Sequence, residues 1–268
     1  MIIMKSAAVL AFMASGYAYG QSALERGKKI VDESLAALGG QRYLEMKDRT
    51  ETGRAYSFFR ERLSGLAIAK FHTRYLTHPE PPTAEFFGVR ERQILGKKQD
   101  VSVLFGESEN YEINFRGATP LPEDRVMRYR DATRRNVLYI LRQRLGEPGL
   151  IFEHKMSEVY ENQAVELVDI VDATNQTVTV YFNRLSKLPV RQTWHALDPL
   201  TKERVDEVVR FNKYRDVGEG VQWPFQIVRE RNGEKISEIF SEAVTINNDL
   251  TDQLFTLPAN MKVLKKAK

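Results

Sequence analysis

Across the stretch from Phe152 to Asn247, apolar and polar residues alternate in short runs cut by turn-formers. The runs are Val165–Asp172, Thr177–Asn183, Pro189–Ala196, Val205–Tyr214, Pro224–Arg231 and Lys235–Ile246. Within them Val178, Val180 and Phe182 recur at every second position, which places them on one face of a strand. Asn232-Gly233 accepts positive φ at both central positions of a two-residue turn, so the last two runs pair as a tight hairpin. Connections this short permit only antiparallel neighbours. The pattern therefore predicts a six-strand antiparallel meander.

An earlier set of runs has the same character. Thr50–Arg60, Leu66–Leu76, Phe86–Leu95, Asp100–Phe105 and Tyr111–Arg116 read as five more strands, and His78-Pro79-Glu80-Pro81-Pro82 reads as a loop. Two stretches carry a helical period instead. Ser22–Leu38 puts Leu24, Val31, Leu35 and Leu38 on one face, with capping-box spacing from Ser22 to Glu25 and a stop at Gly39-Gly40. Arg125–Leu145 opens after Pro122-Glu123-Asp124 and ends at Gly146. Its seven arginines read as a solvated face whose stems pack on apolar neighbours, since no aromatic stacking pattern accompanies them. Leu254, Phe255, Leu257 and Pro258 should return to the body, ahead of a basic tail at Lys262, Lys265, Lys266 and Lys268.

No linker or repeat divides the chain. The expected fold is α+β, mainly β: one curled antiparallel sheet of about eleven strands forming an unclosed half-barrel with covering helices. Two long helices are too few to cover so wide a face, which leaves an apolar concavity. The alternative is a sandwich with a filled core. The residues read as cavity or lid are Phe58, Leu66, Ile68, Phe71, Val103, Phe105, Ile113, Phe115, Val137, Ile140, Leu141, Val180, Phe182 and Trp194.

The N-terminus changes the picture. Lys5, the apolar run Ala7–Ala14 and the small residues before Gln21 have the form of a secretory signal peptide over residues 1–20, leaving 21–268 as one domain. The apolar run is too short to span a bilayer. The 268 residues include no cysteine, so disulfides, thiolate metal sites and a lipidated anchor are excluded, and the mature chain is expected in the periplasm. A net charge of +4, interleaved with acids, gives no case for nucleic acid. The four histidines, His72, His78, His154 and His195, are isolated, and no motif of a hydrolase, nucleotide-binding or metal-dependent enzyme occurs. Asp169 with Asp172, Glu203 with Asp206 and Glu107 with Glu109 sit in polar or loop positions. No catalytic residue, metal or cofactor is assigned.

The order of these elements resembles the LolA-like superfamily, which holds carriers of outer-membrane lipoproteins and the sensing domain of RseB-type regulators. The likeness is carried by Gly39-Gly40, Met46-Lys47-Asp48 with Thr52-Gly53, Leu188-Pro189-Val190-Arg191, Val221-Gln222-Trp223-Pro224, Arg229 to Lys235, and Phe255–Pro258. It implies a half-barrel with a helical lid that holds the acyl chains of a lipid or acylated lipoprotein passively. An inner-membrane donor and an outer-membrane acceptor are the partners implied. Arg62 and Arg74 are the candidates for an arginine by which the barrel grips its lid. An RseB-like sensor of envelope stress is the alternative role.

Overall fold

The computed structural model describes residues 22–80, 82–197 and 201–265. The expected signal peptide, Pro81 of the proline loop and the tail residues Lys266 and Lys268 lie outside the described residues. Among those described, thirteen strands form one antiparallel sheet that does not close into a barrel. In chain order they are β1 Asp48–Phe59, β2 Arg62–Tyr75, β3 Val89–Leu95, β4 Val101–Phe105, β5 Asn110–Asn114, β6 Gly117–Pro120, β7 Ile151–Tyr160, β8 Gln163–Val171, β9 Thr177–Asn183, β10 Pro189–Leu197, β11 Arg204–Asp216, β12 Gln222–Arg231 and β13 Glu234–Ile246. The sheet order is β6-β5-β4-β3-β2-β1-β13-β12-β11-β10-β9-β8-β7. Two meanders are thus joined at their centre, where β1 lies antiparallel to β13 from Arg49 opposite Ile246 to Ser57 opposite Ser237.

The expected eleven strands become thirteen through the two edges. β6 is only Gly-Ala-Thr-Pro, whose composition reads as a turn. β7 has few buried residues, because an edge strand with most of its length in water needs no alternation. The β12–β13 hairpin turns at Asn232 and Gly233 with φ of 50° and 81°, as the spacing requires. The β1–β2 turn does the same at Arg60 and Glu61, φ 49° and 61°, with no glycine to announce it.

Helix α1, Ala23–Leu38, starts with the capping box. Ser22 Oγ accepts from the Glu25 amide at 3.1 Å, and Glu25 Oε2 accepts from the Ser22 amide at 2.9 Å. Its buried face is Gly27, Val31, Ser34 and Leu38, while Leu24, expected on that face, is exposed in the first turn. Gly27 sets that face: a Cβ there would stand 2.4 Å from the Phe152 carbonyl oxygen, so only glycine lets α1 lie against β7. A short α2, Gln41–Glu45, follows.

The second long helix is broken where a continuous one was expected. α3 covers Glu123–Arg134 and α4 covers Val137–Tyr139, continuing as a wider π turn over Ile140–Arg144. Between them Asn136 is extended, and its side chain caps the Leu138 amide at 2.9 Å. Gln192 of β10, fully buried, stitches the break by accepting from Val137 N at 2.7 Å and donating to Arg135 O at 2.9 Å.

The main core lies between α1, α2, α4 and the β7–β12 half of the sheet. Val31, Leu38, Tyr43, Ile140 and Leu141 pack there against Val180, Phe182, Phe211 and Trp223. The opposite face of β3–β6 is covered by the C-terminal segment, where Phe255 packs with Leu104, Ile113 and Ala118. The segment's Lys262 carbonyl and Leu264 amide bond to Ala118, extending the sheet past β6.

Candidate functional site

Where α3 replaces α4 as cover, the sheet is not filled. An inner cavity of about 240 Å³ lies over β1–β3 and β12, and a groove of about 830 Å³ runs between α3 and β10–β12. They meet at Tyr129, Ala132, Trp194 and Arg229, which line both. The contrast between the two lids follows from their sequences. α4 is wholly buried, whereas α3, with four arginines in twelve residues, has no buried residue.

Polar contacts hold the lids. Tyr43 Oη donates to Leu138 O at 2.6 Å, Gln143 Nε2 to Gly88 O at 2.6 Å, and Arg142 Nη2 to Met46 O at 2.7 Å. Arg144 is nearly buried and pairs with Glu147 at 2.6 Å and Asp172 at 3.2 Å. On α3, Arg125 reaches Glu112 at 2.8 Å, and Arg130 and Arg134 donate to the Glu107 and Ala84 carbonyls. The arginines expected to form a solvated face therefore tie the lids to the sheet and its loops. The grip runs from lid to body, the reverse of what was expected of Arg62 and Arg74. Arg62 is exposed at the start of β2. Arg74 points to the other face of the sheet, where Nη1 holds Leu250 O at 3.1 Å and Asp252 at 2.8 Å in the C-terminal segment.

Of the residues read as cavity or lid, Phe71 and Trp194 line the inner cavity, and Phe105 and Trp194 line the groove. Val103 packs beside Phe105 under α3, next to Val126 and Tyr129. Val137, Ile140, Leu141, Val180 and Phe182 lie in the solid core and plug their half of the inner face instead of lining open space. Leu66 and Ile68 are 59% and 49% exposed on the face of β2 opposite Phe71, as the period of two demands. Ile113 is covered by the C-terminal segment, and Phe115 is 86% exposed in the β5–β6 turn. Phe58 sits under the Lys235 ammonium, 4.3 Å from its ring centroid, and lines neither space.

The residues not anticipated are polar ones facing inward. Register sets Arg49, Thr73 and Glu91 in one row across β1–β3, and Glu51, Phe71 and Gln93 in the next. Arg49 pairs with Glu51, donates to Thr73 Oγ1 at 3.0 Å, and stacks 4.0 Å from the centroid of Trp223. Ser241 Oγ donates to Glu51. Burial opposes the charge on Arg49, but the nearby Glu51, Tyr75 and Glu91 outweigh it and raise its pKa. Glu91 accepts from Gln93 Nε2 at 2.6 Å, and burial still pushes its carboxyl above the ordinary range. Burial also lowers the pKa of Arg229. The signal was present in β1, whose opening Asp-Arg-Thr-Glu has no apolar alternation although both neighbours pair with it along their length. Chemically the site is a mixed pocket, with apolar walls, the paired charges of Arg49 and Glu51, and Arg229 held only loosely by Glu207 at 3.8 Å. Among the described residues no group of three or more His, Asp or Glu side chains is placed to hold a metal.

No family model matches the chain, and no curated protein matches it significantly. Solved structures do. A domain from Vibrio parahaemolyticus, named for an outer membrane lipoprotein-sorting protein, is similar at 11% identity and TM-score 0.56, covering 87% of this chain and 97% of its own. A DUF1329 family protein from Desulfovibrio piger is 9% identical with TM-score 0.56, over 86% of this chain and 97% of its own. A LolA superfamily protein from Nitrosomonas europaea is 9% identical with TM-score 0.51, over the same shares. At these identities the likeness is one of backbone, and it extends over nearly all of each neighbour: the chain has the LolA-like fold.

Proposed function

We propose that the protein is an exported, periplasmic carrier of lipids or acylated lipoproteins that takes part in outer-membrane lipoprotein sorting. It holds acyl chain in the space under α3, without catalysis or cofactor. The observation that carries this reading is the cavity: Phe71, Trp194, Ile227 and Ile239 line open space beneath a helix that has no fully buried residue. Each methylene moved there from water gains about 0.8 kcal/mol, so a short length of chain suffices for useful affinity. α3 is the natural lid. It joins the anchored α4 through the extended Asn136, and its own grips are on half-buried arginines, whereas those of α4 are on buried side chains. Among the described residues no helix is long and apolar enough to cross a membrane, and the implied route runs from an inner-membrane donor to an outer-membrane acceptor.

Delipidated protein titrated with a fluorescent fatty acid should bind saturably, and mass spectrometry of natively purified protein should find co-extracted lipid. Failure of both sinks the reading. An RseB-like sensor would use the same cavity, and recovery of an anti-sigma factor in a pull-down is the result that would move the assignment there.

A further inference from the structure

The geometry points to a headgroup specificity. We propose that the groove receives the anionic head of an amphiphile, a carboxylate or a phosphate, and that Arg229 at the junction with the inner cavity is its anchor. This rests on the lipid-carrier reading and adds to it which end of the ligand lies where.

Arg229 lines both spaces, and its ionic partner is distant. Its Nη2 stands 3.8 Å from Glu207 Oε2, beyond hydrogen-bond range. Arg231 engages the other oxygen, Oε1, through Nε at 2.7 Å and Nη2 at 2.5 Å, and Oε2 is left without a hydrogen-bond partner. One buried glutamate thus faces two guanidinium groups, and the Nε of Arg229 is buried with no hydrogen-bond partner. The Arg229 side chain keeps 37% exposure, so an incoming anion can reach its guanidinium and give it the close partner that Glu207 does not. A second unused donor borders the same junction. Trp194 is 4% exposed, lines both spaces, and its indole Nε1 is buried without a partner. An acceptor at the junction would lie beside both residues.

The surroundings favour the same sign. The groove is lined by six arginines, at 125, 128, 135, 204, 229 and 231, against the two acids Asp131 and Glu207. Arg125, Arg128 and Arg135 are paired with carboxylates at 2.6–2.8 Å, so they supply field rather than a free hand. Arg204 is 3.9 Å from Asp206 and largely exposed at the edge. The inner cavity balances Arg49 against Glu51 and offers no comparable excess. Head in the groove and chain toward Phe71 is the orientation that places each end against its own chemistry.

The test compares cis-parinaric acid with its methyl ester, by fluorescence titration of the delipidated protein and of its Arg229→Gln and Arg229→Lys variants. A charge-assisted contact predicts that the acid binds about tenfold more tightly than the ester. Arg229→Gln should erase that preference, so that acid and ester bind alike, and Arg229→Lys should restore part of it. Displacement of the probe by oleate and by a monoacyl phosphatidate, compared at equal chain length, then separates carboxylate from phosphate as the preferred head. Equal binding of acid and ester overturns the headgroup proposal and leaves the carrier intact. A preference that survives Arg229→Gln removes Arg229 as the anchor. Binding of neither probe overturns the carrier reading and this proposal with it.

Discussion

The junction between the two lids rests on one side chain, and its removal can be estimated. Gln192 is fully buried on β10 and closes two hydrogen bonds, from Val137 N at 2.7 Å and to Arg135 O at 2.9 Å. Leucine at this position nearly preserves volume, so packing changes little. The backbone groups are then orphaned, and each buried unsatisfied group costs about 1–3 kcal/mol. Arg135 borders the open groove, where water can reach its carbonyl, which places the expected loss for Gln192→Leu at about 2–4 kcal/mol. That is a large share of the roughly 5–15 kcal/mol by which a domain is stable. Urea unfolding should show a lower midpoint at unchanged slope, and amide exchange at Val137 should quicken more than exchange in β8 or β9. A loss below about 1 kcal/mol, with Val137 protection intact, would refute the claim that this glutamine holds the lids to the sheet.

Three further outcomes follow from the same contacts. Gly27→Ala, a change that favours a helix by about 1 kcal/mol on propensity, should instead destabilise by about 1–3 kcal/mol, because the new Cβ meets the β7 backbone. Thermal melts that show stabilisation would contradict the close packing of α1 on β7. Arg144→Met leaves buried Glu147 with only Arg134 at 3.5 Å and should cost about 3 kcal/mol in chemical denaturation, far more than loss of an exposed arginine such as Arg54. Glu91→Gln should stabilise at neutral pH. The folded-state pKa of Glu91 is raised, so the folded chain holds this proton more tightly, and stability falls as pH rises from 4.5 through the folded value. The gain from glutamine is therefore full above that window and absent below 4.5, and a gain that persists at pH 3.5 would contradict the assignment.

Much of the sheet was legible because period two and turn chemistry are local. Asn232-Gly233 and the run Val178, Val180, Phe182 specify a hairpin and an inward face without reference to any distant residue. What failed were features decided by distant partners. β7 needed no apolar alternation because α1 covers only part of it, and the helix break at Asn136 is written on β10, in Gln192. The cavity residues were read by asking only which were apolar. That rule picked Leu66 and Ile68 along with Phe71, although alternation already placed the first two on the opposite face of β2. It also passed over Arg49, Glu51 and Glu91, because inward charge is affordable only when cross-strand neighbours pair with it, and register was not yet known.

Those inward charges bear on how a carrier survives between loads. An inner space of about 240 Å³ lined only by aliphatic side chains would cost about 6 kcal/mol when empty, at roughly 24 cal/mol per Å³. Such a loss is comparable to the whole stability of a small domain, and the sheet would close on itself or pack another side chain into the gap. Polar walls change the reference state. Arg49, Thr73, Glu91 and Gln93 present donors and acceptors to the same volume, so water can occupy it with several hydrogen bonds and the vacant form loses less. The consequence for binding has the opposite sign, since an acyl chain must displace that water and forgo part of its transfer free energy. A pocket built this way trades affinity for a stable empty state, and transfer requires both. Replacing Glu91 and Gln93 together by leucine tests the trade. Fatty-acid affinity should rise while stability of the unliganded protein falls, and a variant that is both tighter-binding and more stable would show that the polar rows serve some other end.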